Sequence, residues 1–328
     1  MKKQQGFSLL ELFITLSIGL VLLSGVLAVF VGMRTTSDET SRYGMMQETG
    51  RFAVSVLTDD LMRQGFFGDL LVPPSTSNLV TIPGDPTGEC TGDGLNNGSF
   101  PGATGNYRTL WSSTATAISN MGCINNARVG SDILQLKRTI TSPITSAERI
   151  ASKYYLVSNF VQGTIVTGLG VLPTINDSQI YEYQHHTYYV ADETQGSTTI
   201  PTLKSISLAT TMNKQPMVDG VEKIRFMFGV DTDQDGFVNA FLSADEMNES
   251  GSNTGRLWDS GASSIVAVKI YVLIRDLDED TSYTNSIVYN MGNDSDDSGK
   301  FTAPGDHFRR MLFSSTVSLF NGDVKIWN

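Results

Sequence analysis

The chain begins with an apolar stretch that is long enough to cross a membrane. Residues 7–33 contain a single ionisable side chain, Glu11. A helix of this length is roughly 40 Å long, which exceeds the hydrocarbon thickness of a bilayer, about 30 Å. Lys2 and Lys3 precede the stretch, and positive charges in this position stay on the cytoplasmic side. The sequence therefore predicts a single-pass helix over residues 7–33, with the rest of the chain outside the cytoplasm.

Composition narrows what the rest of the chain can be. The 328 residues include 23 Lys and Arg against 34 Asp and Glu, so the net charge is -11, and no basic run occurs. Nucleic acid is not expected as a direct partner, because phosphate binding needs a basic surface. With 40% hydrophobic residues the chain can bury a core. The 31 glycines and only 17% charged residues are typical of an extracellular β protein with many turns.

Glu11 distinguishes this helix from two ordinary alternatives, which are a secretory signal peptide cleaved near residues 26–28 and a plain single-pass anchor. A signal peptide has an apolar core of about 7–15 residues, which is shorter than this one. Neither alternative explains a carboxylate, whose cost at the centre of a membrane helix is about 2.5–3.5 kcal/mol. We therefore expect Glu11 to pair with a cation.

Residues 6–11 (GFSLLE), placed after a short basic leader, resemble the processing site of type IV prepilins. The resemblance implies that a prepilin peptidase removes the leader 1–6 by cutting after Gly6. It then N-methylates the new amino group of Phe7. The resemblance also implies that Glu11 pairs with this amino group of a neighbouring subunit, which would neutralise two charges that are costly in apolar surroundings.

The helix is expected to continue beyond the membrane. An amphipathic continuation is predicted over residues 34–65, with or without a break, and Gly65 is the expected stop. The pattern leaves Asp59, Asp60 and Arg63 on other faces than the apolar stripe, which we expect to pack on the following domain. The residues that recur at three- and four-residue spacing are Phe52, Ala53, Val56, Leu57, Leu61 and Met62.

The remainder, residues 66–328, has the pattern of a β-rich domain. Short runs rich in Val, Ile, Tyr and Thr alternate with turn clusters, whereas residues 73–126 are loop-like and dense in Gly, Ser, Thr and Asn. The expected fold class is therefore α+β, with a long N-terminal transmembrane helix followed by a β-rich, pilin-like globular domain. Strands are predicted over residues 132–137, 153–157, 181–190, 224–228, 265–274 and 314–320.

Several segments after the membrane helix resemble the PilW family of minor pilins. They are residues 51–53, 63–68, 130–134, 229–233 and 265–270, together with Arg275. The family commonly has an Arg-Asn pair near its last strand, where this chain has Phe-Asn at residues 320–321. The resemblance implies other minor and major pilins, the prepilin peptidase and the inner membrane as partners. It also implies a single-pass inner-membrane protein that later reaches the cell surface in a pilus, with its globular domain periplasmic or extracellular.

Cys90 and Cys123 are the only two cysteines. An even number in a domain expected outside the cytoplasm favours a disulfide, which would close a loop across the Gly-rich region. Two free thiols or a metal-binding pair are the alternatives. The lack of a nearby histidine argues against zinc.

Residues 231–239 (DTDQDGFVN) match the opening of a calcium-binding loop. Gly236 permits the sharp turn, but Leu242 occupies the position of the bidentate Glu in an EF-hand. Asp245 or Glu246 could replace that ligand in a differently shaped loop. The alternative is an acidic Asx-turn hairpin that needs no ion. The other expected ligands of a weakly bound Ca²⁺ are Asp231, Asp233, Asp235, the carbonyl of Phe237 and Asn239.

A second acidic region has no loop signature. It comprises residues 276–280 and 293–297. We interpret both segments as solvated hairpin tips.

Enzymatic activity is not expected. His185 and His186 are adjacent in a Tyr-rich strand, so their side chains point to opposite faces and cannot easily share one metal. His307 lies beside Arg309 and Arg310, with no partner evident from the sequence. No nucleophile, zinc-protease, Walker or dinucleotide motif is present in a suitable context.

The sequence thus predicts a minor pilin of a type IV pilus that joins a priming or tip complex through its N-terminal helix. One alternative is a large minor pseudopilin of a type II secretion system, which uses the same processing. A second alternative is a pilus-borne adhesin. A membrane-anchored enzyme is disfavoured by the missing motifs.

Overall fold

The computed structural model describes residues 8–92, 95–196, 198–248, 258, 264–292 and 299–319. The chain divides into two compact units, Met1–Gln47 and Glu48–Asn328. The first unit is helical over its described part. The second contains the last turns of the same helix and all the strands.

Helix α1 runs without interruption from Leu9 to Met62, over 54 residues. It is the one helix of the described chain that is long and apolar enough to cross a membrane, and its large apolar side chains from Leu9 to Met33 are exposed. The break that the sequence allowed is not present. The helix ends shortly before Gly65, whose φ of 80° lies in the left-handed region that glycine adopts without strain.

The first sheet has seven antiparallel strands in the order β1-β2-β5-β3-β4, and β6 and β7 extend it beyond β5. The strand β5 is the longest, with 17 residues, and pairs with β2, β3 and β6 along its length. The bounds are Leu110–Thr114 for β1, Asp132–Thr139 for β2, Tyr154–Ser158 for β3, Gly163–Thr167 for β4, Gln179–Gln195 for β5, Thr198–Ser207 for β6 and Asn213–Asp219 for β7.

The second sheet has four antiparallel strands in the order β13-β10-β8-β9. A short helix, α2, follows β9, and a two-stranded ribbon of β11 and β12 lies between β10 and β13 in the chain. The bounds are Val221–Asp231 for β8, Ala240–Ser243 for β9, Ala244–Asn248 for α2, Ser264–Arg275 for β10, Val288–Asn290 for β11, Lys300–Thr302 for β12 and Arg310–Ser318 for β13.

The end of α1 packs into the second unit through small and apolar side chains. Ala53, Leu57 and Leu61 are fully buried, as the core-facing interpretation of the stripe predicts. At Gly50 the helix approaches the ring of Phe313 so closely that a Cβ would overlap it. Any larger residue at position 50 would therefore require the ring of Phe313 to move.

The six predicted strands are all present. The loop-like region 73–126 nevertheless contains β1, which sequence reasoning missed because Leu110 and Trp111 are followed only by Ser and Thr. This segment lacks the alternating apolar pattern of a strand, and its pairing with β2 stabilises the extended conformation. The last strand begins four residues earlier than predicted, at Arg310, and Phe320 lies outside the described residues.

Candidate functional site

At the start of α1, the Glu11 side chain caps the N-terminal end of its own helix. The backbone N–H of Ser8 donates to Glu11 Oε2 at 3.1 Å, and the N–H of Glu11 donates to Ser8 Oγ at 3.2 Å. This reciprocal capping box satisfies two amides that have no partner within the helix. Gly6 and Phe7, the predicted processing residues, lie outside the described residues. The Glu11 carboxylate is thus held at the amide of Ser8, the first residue that the structure describes.

Six hydroxyl side chains in and just after the apolar segment are satisfied within the helix. Each donates to a backbone carbonyl three or four residues earlier, at 2.8–3.1 Å. Such bonds let a polar side chain reside in lipid or in a helical bundle without an unpaired donor. These residues are Thr15, Ser17, Ser24, Thr35, Thr36 and Thr40.

Asp60 joins the end of α1 to the first sheet. Its Oδ1 accepts from Arg138 Nε at 2.5 Å, and its Oδ2 lies 2.7 Å from His186 Nδ1 and accepts from Tyr188 Oη at 2.8 Å. Burial opposes ionisation, but His186 and Arg138 outweigh it and hold the pKa of Asp60 well below its usual value. Burial, and then the Asp60 carboxylate, raise the pKa of the Tyr188 phenol. The helix end is therefore fastened by a buried anion with three partners.

The sequence prediction for Asp60 is wrong in this respect. The spacing pattern places Asp60 off the apolar stripe, yet only 3% of its surface is exposed. It follows Leu57 by three residues and so shares the buried side of the helix. One signal in the sequence could have indicated a buried acid here. His186 and Tyr188 are two residues apart, so their side chains lie on the same face of β5. Asp59, by contrast, is exposed and pairs with Arg63 at 2.7 Å.

His185 points to the other face of β5, as predicted, and enters a buried polar cluster. Its Nδ1 lies 2.9 Å from Ser99 Oγ, which donates to Glu89 Oε1 at 3.0 Å. Burial lowers the pKa of His185 well below its usual value, so the ring is neutral. Burial likewise lowers the pKa of Lys137 to about 7. Ser99 and His185 are both fully buried, so neither side chain contacts solvent.

Lys137 and Gln135 connect the same cluster to the preceding loop. Lys137 Nζ donates to the carbonyls of Asn97 and Arg108 at 2.7 and 2.9 Å. Gln135 Nε2 donates to the carbonyl of Cys90 at 3.0 Å. These bonds satisfy backbone carbonyls of a loop that do not belong to a strand ladder. They also hold the loop against β2.

Cys90 and Cys123 form a disulfide, with their Cα atoms 5.0 Å apart. The prediction is confirmed. The bridge lies in a buried cluster with Ile124, Ile133 and Tyr189. It therefore closes the Gly-rich loop directly onto the first sheet.

The predicted calcium loop follows β8. Oxygen atoms of Asp231, Asp233 and Asp235 all lie within 4.8 Å of one another. Asp231 is buried and accepts the backbone N–H groups of Gln234 at 2.7 Å and Gly236 at 2.8 Å. Burial raises the pKa of Asp231, but these amides outweigh burial and lower the pKa overall. Gly236 has a φ of 86°, so it makes the sharp turn that the motif requires.

The side-chain oxygens of the other predicted ligands accept hydrogen bonds from protein groups. Asn239 Oδ1 accepts from the N–H of Thr232 at 2.6 Å. Asp245 Oδ2 accepts from Thr114 Oγ1 at 3.0 Å, and Glu246 Oε2 accepts from the N–H of Ser243 at 2.8 Å. The last bond is half of a capping box that starts α2.

The carboxylates that converge in this loop are thus those of the three aspartates. The side chain of Phe237 is 73% exposed, and its N–H donates to Asp235 Oδ1. An all-oxygen set of this kind suits Ca²⁺ chemically.

The second acidic region is less exposed than predicted. Asp276 is buried, and its N–H donates to the carbonyl of Arg309 at 2.9 Å. Asp280 pairs with Arg309 at 2.8 Å, and bonds from Ser282 and Arg309 lower its pKa to about 2. The interpretation as a solvated tip is wrong for these two residues, because an arginine thirty positions later folds back onto them. Residues 293–297 lie outside the described residues.

His307 also has a partner that the sequence did not indicate. Its Nδ1 lies 2.6 Å from the carbonyl oxygen of Tyr283. The contact joins two segments that are far apart in the chain, and nothing in the neighbouring sequence marks it.

Two family models match the chain. Residues 1–27 match the prokaryotic N-terminal methylation motif, and residues 187–321 match the type IV pilus-assembly protein W model. The first match contains Gly6, Phe7 and Glu11. The second begins within β5 and covers the whole second sheet. No curated protein and no solved structure matches the chain.

Proposed function

We propose that the chain is a type IV minor pilin of the PilW family, and that it enters the pilus through α1 as part of a small priming or tip complex. The observation that carries the proposal is the union, in one chain, of the methylation motif, an unbroken helix from Leu9 to Met62 and the domain matched by the PilW model. A helix of this length can lie in the membrane before assembly and in a bundle of helices afterwards.

Processing is the first proposed step. The prepilin peptidase cuts after Gly6, which removes two lysines and leaves the amino group of Phe7, to be methylated, at the start of α1. Before assembly the Glu11 carboxylate is bonded to its own helix end through Ser8. This bond lowers the cost of a carboxylate in apolar surroundings, because the helix N-terminus carries a partial positive charge.

Assembly is the second proposed step. Glu11 exchanges the neutral amide of Ser8 for the cationic amino group of a neighbouring subunit. An ion pair that is also hydrogen bonded is stronger than a bond to a neutral amide. The exchange therefore favours the assembled state and requires other pilins as partners.

The size of the second unit supports a position at the tip. It comprises Glu48–Asn328, whereas a repeated shaft subunit must pack at every turn of the filament. We propose that the chain is anchored in the inner membrane until extraction, and that its second unit is then displayed at the cell surface. The match to the pilus-assembly model favours this role over that of a type II secretion pseudopilin.

Mass spectrometry of the chain isolated from its native membrane tests the processing step. The expected N-terminus is an N-methylated Phe7, and a Gly6→Leu variant is expected to retain Met1. A native chain that begins at Met1, or after Ala28, would contradict the proposal. Immunogold labelling of isolated pili tests the position, since labelling along the whole shaft rather than at filament ends would contradict a tip role.

A further inference from the structure

The strand β10 carries two polar side chains on the face of the second sheet that is not buried. Val268, Ile270 and Val272 are fully buried, whereas Lys269 and Tyr271, which alternate with them, are half-buried. Successive side chains of a strand point to opposite faces, so Lys269 and Tyr271 share one face, with their Cα atoms about 7 Å apart. A cation and a phenol hydroxyl are thus neighbours on this face.

These two side chains line a cavity of about 360 Å³. Met227 of β8, which is buried and lies opposite Lys269, also lines it. The end of the β11–β12 ribbon closes another side, because a Cβ on Gly292 would lie only 3.2–3.3 Å from Met227 Sδ and Tyr271 Cε2. The cavity therefore brings together segments that are separate in the chain. Its lining residues are Met227, Phe241, Lys269, Tyr271, Asn290 and Gly292.

The charge of Lys269 is not neutralised within the described part of the chain. Its Nζ lies 3.9 Å from the centroid of the Phe241 ring, and no carboxylate of the described residues pairs with it. Lys153 and Lys204, by contrast, each form an ion pair with a glutamate. The Tyr271 hydroxyl also has no hydrogen-bond partner among the described residues. A half-buried cation beside an unused hydroxyl favours binding of an anion.

The other lining residues limit what this anion can be. Lys269 is the only charged residue that lines the cavity, which suits one carboxylate better than a phosphate group with its greater charge. Asn290 presents a carboxamide at the exposed rim, whereas Met227 and the Phe241 ring provide apolar surface. The volume is at the lower end of the range for ligand pockets, about 300–1,000 Å³, so the cavity admits a single small ring.

We propose that this cavity binds a sugar acid, which is a single sugar ring that carries one carboxylate. The carboxylate accepts hydrogen bonds from Lys269 and Tyr271, and ring hydroxyl groups bond to Asn290. The C–H groups of the ring pack against Met227 and Phe241. This inference goes beyond the proposed role in pilus assembly, because binding requires neither cleavage of the leader nor incorporation into a filament.

Saturation-transfer NMR with glucuronate tests the proposal. The full-length chain is purified in a detergent without a sugar head group, so that the detergent cannot compete for the cavity. Two further ligands separate the parts of glucuronate. Glucose has the same ring with a hydroxymethyl group in place of the carboxylate, and acetate has the carboxylate without the ring. We expect the wild-type chain to bind glucuronate at least about tenfold more tightly than either, because only glucuronate makes both sets of contacts.

Four variants test the assigned contacts. Lys269→Met removes the charge and keeps an apolar stem beside Phe241, so binding of glucuronate should weaken at least about tenfold. Lys269→Arg keeps the charge and should remain within about threefold of wild type. Tyr271→Phe removes one hydroxyl and should weaken binding about fivefold. Lys214→Met, which changes an exposed lysine of β7 outside the cavity, is the control and should change binding less than about twofold.

Several results would overturn the proposal. Glucose binding as tightly as glucuronate, or wild-type affinity in Lys269→Met, would exclude the contact between the carboxylate and Lys269. Acetate binding as tightly as glucuronate would exclude a sugar and would identify a bare carboxylate, such as an acidic side chain of a partner protein, as the ligand. No saturation transfer from the wild-type chain would exclude the site. If Lys269→Met does not fold, Tyr271→Phe decides the outcome, since it removes a single oxygen atom from a half-buried side chain.

Discussion

Two carboxylates of α1 show how surroundings decide the role of a residue. Glu11 lies at the exposed start of the helix and bonds to Ser8, a partner in its own chain that an ionic partner could replace. Asp60 is buried near the other end, where three donors surround it. The first is available for exchange, whereas the second cannot leave without stranding Arg138 in the interior.

The charge of Glu11 should matter for assembly and not for processing. Glu11→Gln keeps an acceptor for the amide of Ser8 but cannot neutralise the amino group of a neighbour. We expect normal cleavage and at least about tenfold fewer pili, because an unpaired charge in apolar surroundings costs on the order of 2–3 kcal/mol. Electron microscopy counts the pili, and mass spectrometry checks the N-terminus.

Ser8→Ala is the matched control for this prediction. It removes the capping hydroxyl and keeps the charge, so assembly should change little. Wild-type piliation in Glu11→Gln would refute the charge-pairing mechanism.

Calcium binding by the Asp231 loop remains a prediction. Three carboxylates converge there, and with so few ligands a dissociation constant of about 10⁻⁴–10⁻³ M is expected. Calorimetric titration of the full-length chain measures it, with Asp231→Asn plus Asp233→Asn expected to abolish the heat. Asp85→Asn, an exposed acid outside the loop, is the control. If about 1 mM Ca²⁺ produces neither heat nor a change in melting temperature, the loop is a hydrogen-bonded turn that binds no ion.

At the scale of elements, the question is how the assembly helix is joined to the β domain. Small residues allow close approach near Phe313, and three polar contacts then fix the helix end. Besides the Asp60 cluster, Gln64 Nε2 donates to Thr109 Oγ1 at 3.1 Å, and the carbonyl of Phe66 accepts from the N–H of Thr139 at 2.8 Å. Residues 48–62 are thus part of the folded unit.

Asp60→Asn should weaken this junction strongly. Removing one partner of a buried ion pair costs about 3–5 kcal/mol, because Arg138 is left uncompensated. Urea unfolding of the full-length chain in detergent measures the loss, and Asp59→Asn should change stability by less than about 0.5 kcal/mol. A loss below about 1 kcal/mol in Asp60→Asn would show that helix packing alone makes the junction.

The same variant predicts a pH dependence. The pKa of Asp60 is lowered on folding, so its contribution is complete above the unfolded carboxyl value of about 4 and is lost as pH falls toward the folded value. The difference in stability between wild type and Asp60→Asn should therefore be constant from pH 7 to about 5 and narrow below about 4. A difference that narrows already near neutral pH would contradict this assignment.

At the scale of the whole molecule, one covalent link holds a long segment of the second unit that has little regular secondary structure. The disulfide spans 33 positions and closes a loop onto the first sheet, and Lys137 and Gln135 bind carbonyls on that loop or at its end. Apart from β1, the described residues of this loop-like region are ordered in this way without a helix or strand of their own.

Replacing both cysteines by serine should cost about 3–4 kcal/mol, because the unfolded chain regains the entropy of an open loop. Urea unfolding of the full-length chain measures the loss, and reduced wild-type protein should show the same value. A change below about 1 kcal/mol in both samples would mean that the buried polar cluster alone orders this segment.

Features that depend on local pattern could be predicted from the amino-acid sequence. The composition of residues 7–33 predicts a membrane helix. Apolar residues at every second position predict the strands, and the cysteine count indicates the disulfide. Such features are visible because each residue's neighbours in the chain carry the signal. Only the tertiary structure decided that Asp60 is buried, that β1 forms within a loop and that Arg309 folds back onto Asp280. In each case the partner lies on a distant segment, and its contribution exists only once the sheets have brought the two together.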